Sequence, residues 1–247
     1  MIRLDKAVQA QVRSRTRAQK LIRSGKVQVN SKTVLKPSFG VGEYDVIEVE
    51  NDRWVSRAAY KLLGALEGLQ EAGIQLPESP RVLDAGASTG GFTQVMLDAG
   101  ARRIYAVDVG HDQLDETIRS HERVEVREGL NLRDLVLSDL DSEPVDLIVG
   151  DVSFISLKLL LKPLAGVLKP DGLALLLVKP QFEVGKDQLG AGGVVRSDEL
   201  RRESVTAVIE EARGVGWNPI WSADSKLPGP SGNREIFVCF NASGQNN

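Results

Sequence analysis

The sequence predicts a doubly wound α/β domain with a mainly parallel sheet, preceded by a small basic α+β module. Three observations predict it. Basic charge is gathered at the N-terminus, buried strand-like runs alternate with helical ones from residue 81 onward, and a glycine-rich turn follows the first of those runs. The 247 residues suit one large domain, or an ordinary domain plus a small one. A hydrophobic content of 42% and a charged content of 26% are compatible with a packed core.

Residues 1–37 hold ten Lys or Arg against a single acid, Asp5, a surplus of +9 that leaves −12 for the rest of a chain whose net charge is −3. A basic module joined to an acidic body points to an anionic partner. Within it, "RLDKAVQAQV" reads as a short helix and "RTRAQKLIRSG" as a second, with Ser14 as N-cap and Gly25 as stop. Arg13, Arg17, Lys20 and Arg23 share one side of the second helix, and Ala18, Leu21 and Ile22 the other. "KVQVN" and "YDVIEVE" alternate like strands, with "NSK" able to turn. A rigid row of cations suits regularly spaced phosphates, the alternative being a merely solvated basic face.

A charged linker is expected at 51–55, and Trp54 and Val55 could pack against either neighbour. From Ser56 the pattern is helical, with Leu62, Leu66 and Leu69 on one face and Lys61 on the same helix. Then come the strand runs "RVLDAG", "RRIYAVDVG", "VEVREG", "VDLIVGDV" and "GLALLLVKP", and after a long loop and a helix, "NPIWSAD" and "REIFVCFNA". A ligand should lie at the carboxyl ends of the parallel strands. The terminal strand pair, read as closely connected, implies one antiparallel strand at the end. The loop at 180–197 is expected to be a lid whose Lys186 and Arg196 reach phosphates.

The turn "DAGASTGG" fails the G-x-G-x-x-G dinucleotide pattern, and no G-K-[ST] follows it, so neither an NAD site nor a P-loop is indicated. Asp108 closes the second strand 22 residues beyond Gly86, where a carboxylate can grip two ribose hydroxyls. An ordinary tight strand-to-helix turn stays open at this point. The end of the fourth strand reads "GDVSF", with no Pro-Pro after the acid. The single cysteine, Cys239, lies inside the last strand, which disfavours a thiolate mechanism, an internal disulfide and a cysteine-rich zinc site. His111 and His121 lack metal-ligand spacing, so no metal is expected. The absence of an apolar leader or a long apolar run leads us to expect a cytoplasmic chain with no membrane segment.

The N-terminal "RLDKAVQAQVRSRTRAQKLIRSGKVQVNSKTVLKP" resembles the S4 domain, a small RNA-binding fold. That resemblance implies RNA contacts at Arg3, Ser14, Arg15, Arg17, Lys20, Arg23 and Lys26. The glycine turn resembles motif I of S-adenosylmethionine-dependent methyltransferases. It implies S-adenosyl-L-methionine as cofactor, held by Asp84, Gly86, Ala87, Ser88, Thr89, Gly90, Gly91, Phe92, Asp108, Val109, Asn131 and Asp151. Asp84 would accept from the amino end of the methionine moiety, and Asn131 would lie near the adenine.

Lys61, Asp151, Lys179 and Glu235, in that order, match the Lys-Asp-Lys-Glu tetrad of the FtsJ-like RNA 2′-O-ribose methyltransferases. With "WVSRAAYKL", "VKPQFEVGK", "GGVVR" and "GNREIF" the chain is similar to the TlyA family, once labelled haemolysins. One departure is the linker, Asp52-Arg53-Trp54-Val55, where the mycobacterial type has Arg-Ala-Trp-Val. The resemblance implies 2′-O-methylation of rRNA, cytidine in particular, in free rRNA or ribosomal subunits, with Lys179 as base. Asp151 would orient the Lys179 amine, while Lys61 and Glu235 would position the hydroxyl and its phosphate. Stabilising ion pairs are the alternative for some of the four. A non-catalytic ribosome-binding factor and a membrane-active protein are the other readings.

Overall fold

The computed structural model describes residues 1–12, 14–42, 44–50 and 53–242, except for the side chain of Lys186. The basic-face position Arg13, the linker residue Asp52, the tail from 243 and any contact of the Lys186 side chain lie outside the described residues. The chain divides into two compact units, Met1–Arg53 and Trp54–Asn247.

In the first unit, β1 (Ile2–Arg3) leads into α1 (Leu4–Val12) and α2 (Arg15–Arg23). The hairpin of β2 (Val27–Val29) and β3 (Lys32–Thr33) follows, then β4 (Gly40–Val41) and β5 (Ile47–Val49). Ser14 Oγ accepts from the Arg17 amide at 3.3 Å, satisfying one orphan donor of the first turn of α2. Gly25, at φ +77°, ends that helix in the left-handed conformation that glycine adopts without a Cβ clash. The hairpin turns through Asn30 and Ser31, both at positive φ, as a two-residue turn matched to strand twist requires. Leu4, Val8, Val12, Ala18, Ile22, Val27 and Val29 form the core, so the polar first helix still supplies an apolar stripe at helical spacing. The pairing of β1 with β4 was not foreseen, because two-residue strands carry no periodicity.

The second unit starts at Trp54, which is buried in its core, with the Val55 amide donating to Gln94 Oε1 at 2.8 Å. Its elements are α3 (Ala58–Glu71), β6 (Arg81–Ala85), α4 (Gly91–Asp98), β7 (Arg103–Asp108), α5 (Glu116–Arg119) and β8 (Val124–Glu128). They continue with β9 (Val145–Gly150), α6 (Leu161–Ala165), β10 (Leu168–Val178), α7 (Pro180–Glu183), α8 (Asp198–Gly214), β11 (Trp217–Asp224) and β12 (Ile236–Ala242). Seven strands form one sheet in the order β11-β12-β10-β9-β6-β7-β8. All the pairings from β10 to β8 are parallel.

The antiparallel strand is β12, but it lies between β10 and β11 rather than at the edge, and its connection to β11 spans 225–235. That corrects the expectation of a closely connected terminal pair. The long excursion matters because it carries Glu235 to the start of β12. Strand alternation sends Val82, Ile104, Val149 and Leu175 to one face with α3 and α4, and Leu83, Tyr105, Ile148 and Leu176 to the other with α6 and α8. Each fully buried Leu or Ile in these layers contributes about 1.5–3 kcal/mol relative to exposure. The layers thereby fix the strand ends where the polar groups converge.

The loop predicted as one long lid is pinned along much of its length. α7 occupies its start, and Glu183 accepts from Ser156 Oγ at 2.6 Å and the Leu157 amide at 2.7 Å. At its far end Val195 is buried, and its amide donates to Asn233 Oδ1 at 2.9 Å. Between these ties lie the turns at Lys186–Gln188 and Ala191–Gly193, the second held in part by Asn233 Nδ2, which donates to the Gly193 carbonyl at 3.0 Å.

Candidate active site

The sheet order reverses between β6 and β9, and at such a point the two following loops diverge and leave a crevice at the strand ends. A cavity of about 440 Å³ opens there, lined among others by Gly86, Ser88, Asp108, Val109, Asn131 and Asp151. A second, of about 290 Å³, adjoins the same turn and is lined by Ser56, Arg57, Ala87, Thr89, Gly91, Phe92 and again Gly86, Ser88 and Asp151. Gly86 sits at φ +85°, and a Cβ there would come within 3.2 Å of the Val152 backbone. A side chain at Gly86 would therefore close the crevice. Asp108 receives the Ser88 amide at 2.9 Å on one oxygen and the Gly110 amide at 2.7 Å on the other. Both oxygens keep a second lone pair for a ligand at the cavity wall. Asn131 caps a short turn through the Arg133 amide at 3.1 Å.

Glu128 holds the loop that carries Gln113. Its carboxylate pairs with Arg119 at 2.6 Å and takes the amides of Asp112 and Gln113, which hold it down at about 2. Gln113 thereby reaches the cavity and Ser88 Oγ at 3.3 Å.

Two expectations for the turn are corrected. Asp84 lines neither cavity: it is fully buried beneath the turn, accepts from Thr93 Oγ1 at 2.6 Å, and has no partner for Oδ1. Burial pushes its carboxyl up to about 7, and the nearby charges of Asp151 and Asp108 add to the effect. Direct acceptance from a ligand's amino group is therefore not the geometry seen. Gly90 also faces inward. It adopts φ +92° at the head of α4, where a Cβ would lie 2.9 Å from Leu114 Cδ1. Glycine at this position is therefore required by the turn itself.

The four residues of the tetrad converge from four places in the chain. Lys61 stands on α3, Asp151 follows β9, Lys179 follows β10 and Glu235 precedes β12. Lys61 Nζ lies 2.6 Å from Glu235 Oε2 and 3.8 Å from Asp151 Oδ2. Lys179 Nζ lies 2.7 Å from Asp151 Oδ1. Lys61, Lys179 and Glu235 are buried, and the Asp151 side chain is 14% exposed where it meets the cavities. Two lysines and two carboxylates balance in charge, which is how a site this dry can hold four ionisable groups.

Three further residues join the tetrad that sequence reasoning did not select. Ser153 Oγ accepts from Lys179 Nζ at 2.6 Å, and Gln181 Nε2 donates to Glu235 Oε1 at 3.1 Å. Gly229 leaves room for Glu235, since a Cβ there would fall 2.5 Å from Oε1. The order "DVSF" and "KPQF" offered a signal, each polar residue standing two positions beyond a tetrad member. Phe154 is exposed at the larger cavity, at φ +65°, with its ring 5.3 Å from that of Phe182. Cys239 is fully buried and its thiol is pushed up to about 12, so it is a core residue with no nucleophilic character.

In the basic unit, Lys20 and Arg23 are exposed beside a cleft of about 390 Å³ that they share with Thr16, Gln19 and Ser24. Arg3 and Arg15 are instead turned onto Asp5, which is buried and takes both guanidinium groups at 3.0–3.2 Å and Gln19 Nε2 at 2.9 Å. The Arg3 contacts first, with Gln19 and Arg15, hold the Asp5 carboxyl well below the usual range. Lys26 lies 3.6 Å from Glu50, and Ser14 spends its oxygen on the helix cap. Arg17 is half-buried and Arg196 is exposed. Among the described residues no cluster of His, Cys, Asp and Glu could hold a metal, and no helix is long and apolar enough to cross a membrane.

The sequence pattern of FtsJ-like methyltransferases matches residues 54–242, and that of the S4 domain matches residues 2–47. The chain belongs to the FtsJ-like methyltransferase family. Among its relatives, the 16S/23S rRNA (cytidine-2′-O)-methyltransferase TlyA of Mycobacterium tuberculosis is 46% identical over 92% of this chain and 84% of its own. Hemolysin A of Brachyspira hyodysenteriae is 36% identical over 97% of this chain and 99% of its own. The solved structure of a candidate hemolysin from Streptococcus thermophilus superposes with a TM-score of 0.74 at 34% identity, covering 97% of this chain and 87% of that one. This FtsJ-like methyltransferase thus carries an S4 domain ahead of its methyltransferase domain, whose sheet has seven strands with one inserted antiparallel strand.

Proposed function

We propose that this protein methylates ribose 2′-hydroxyls of rRNA, at cytidine, drawing the methyl from S-adenosyl-L-methionine. The observation that carries the reading is the position of the tetrad, with Asp151 belonging at once to the charge cluster and to the wall of both cavities at the glycine turn. The names of the Mycobacterium tuberculosis and Campylobacter jejuni relatives support the rRNA cytidine substrate.

The cavity fits the cofactor. Asp108 offers two acceptors where a ribose needs them, Asn131 and Val109 line the same wall, and the bare Gly86 keeps the crevice open. When bound, S-adenosyl-L-methionine supplies a methyl on a positively charged sulfur that departs as a neutral thioether. The chain's own residues handle the other reactant. A ribose hydroxyl is a weak nucleophile until its proton is removed. Lys179 Nζ is the group that accepts that proton. Asp151 orients the amine and stabilises the ammonium it becomes. Lys61, held by Glu235, presents positive charge to the developing oxyanion and the adjoining phosphate. Lys20 and Arg23, with Arg17, Lys26, Lys186 and Arg196, supply the sequence-independent phosphate contacts, while Arg3 and Arg15 are engaged by Asp5.

The test is transfer of labelled methyl to purified 30S and 50S subunits and to their naked rRNAs, wild type beside Lys179→Ala. Label in alkali-resistant dinucleotides that disappears in the variant is expected. Alkali-labile label, or a Lys179→Ala variant as fast as wild type with cofactor bound, refutes the assignment.

A further inference from the structure

The Lys179 amine has more partners than the tetrad supplies. Its Nζ donates to Ser153 Oγ at 2.6 Å and, at the long distance of 3.4 Å, to the Asp151 carbonyl, while Asp151 Oδ1 at 2.7 Å is an ion-pair contact without hydrogen-bond alignment. An ammonium has three N–H donors. The neutral amine that acts as a base has two donors and one lone pair. The Ser153 oxygen is thus the one close and aligned acceptor of the Lys179 nitrogen. Without it the nitrogen is free to turn about its Cε–Nζ bond, and the lone pair it offers as a base sweeps a cone.

Ser153 stands between the cavities and the lysine. It lines both cavities, whereas Lys179 is buried behind it. Its position is over-determined. The Asp151 amide donates to the Ala85 carbonyl at 3.2 Å on one side, and Ser156 and Leu157 are tied to Glu183 on the other. Between these anchors, Phe154 adopts φ +65°, which costs a residue with a Cβ about 1–2 kcal/mol. A loop free to relax would shed that strain. The chain accepts it, and Ser153 stays against the lysine.

We propose that Ser153 is a positioning residue for the base, holding the Lys179 amine through its hydroxyl oxygen so that the lone pair meets the 2′-hydroxyl proton. This rests on the methyl-transfer reading above. In the step, the proton passes from the substrate oxygen to Lys179 Nζ, while Ser153 keeps its own proton throughout and changes no bond.

The experiment compares wild type, Ser153→Ala and Ser153→Thr on the rRNA particle that wild type methylates. It measures kcat, KM for RNA and the Kd of S-adenosylhomocysteine. Ser153→Ala is expected to lose about 10–100-fold in kcat, as slight misplacement of a reacting group does, with KM and Kd within about twofold. Ser153→Thr keeps the hydroxyl and is expected to restore most of the rate. A Ser153→Ala variant with wild-type kcat overturns the proposal, as does a loss carried by KM or Kd, or a threonine variant as slow as the alanine one. Wild type that transfers no methyl to any rRNA is a different result. It overturns the function reading, and this proposal with it.

Discussion

Removing Glu235 alone should destabilise the protein more than removing Glu235 together with Lys61. The Glu235 carboxylate is 1% exposed and touches Lys61 Nζ at 2.6 Å and Gln181 Nε2 at 3.1 Å. Glu235→Met leaves the ammonium of a side chain only 10% exposed with Asp151 Oδ2 at 3.8 Å as its remaining counter-charge. Breaking a buried pair from one side costs about 3–5 kcal/mol, and the residual Asp151 contact and partial exposure return some of it, leaving about 2–3 kcal/mol. For a domain of this size each kcal/mol lowers Tm by about 2–4 °C, so the single variant should melt about 4–12 °C lower.

The double variant Lys61→Met, Glu235→Met removes both charges and fills the space with apolar chains of similar length, so it should return to within about 1 kcal/mol of wild type. Both variants should be inactive in methyl transfer. Thermal and urea denaturation of four proteins in parallel, wild type, Lys61→Met, Glu235→Met and the double variant, give the comparison. If the double variant loses as much as the two singles added together, the charges are not coupled and the site is not the dry cluster described.

Two other outcomes follow from the same geometry. Asp84 has its carboxyl raised by burial from an ordinary 3.8 to about 7. Between those values only the folded state holds the proton, so this group's contribution to stability is complete below the lower value and declines as pH rises through the upper one. Asp84→Asn, which keeps an oxygen for Thr93, lacks that decline. Its Tm relative to wild type should therefore rise between about pH 5 and pH 8, and a difference that stays flat would contradict the assignment. In the basic unit, Lys20→Ala or Arg23→Ala should weaken RNA binding alike across unrelated rRNA fragments, each reducing the slope of log affinity against log salt by about one. Binding assays over a salt series will measure this, and an unchanged slope would remove the residue from the phosphate contacts.

Much of this molecule was legible in local pattern. Ser14 and Gly25 bracket α2 as the capping chemistry requires, and the apolar runs from residue 81 lie where the parallel strands are. The order of Lys61, Asp151, Lys179 and Glu235 was readable only through likeness to a family, since no spacing rule joins residues up to 174 positions apart. The strand order escaped because a hydrophobic run says that a strand is buried, not which neighbours it has. β12 could be placed between β10 and β11 only by the packed sheet.

The sequence by itself determined the two-part charge plan, the alternation of strands and helices, and the turn that opens the crevice. These depend on side-chain period, helix capping and glycine geometry, all set within a few residues. Tertiary structure alone decided which way each polar side chain faces. It sank Asp84 beneath the turn, clamped Arg3 and Arg15 onto Asp5, and brought Ser153 and Gln181 against the two halves of the tetrad. The physical reason is that desolvation and hydrogen-bond partnership are properties of the space between distant segments, which exists only after the chain has packed.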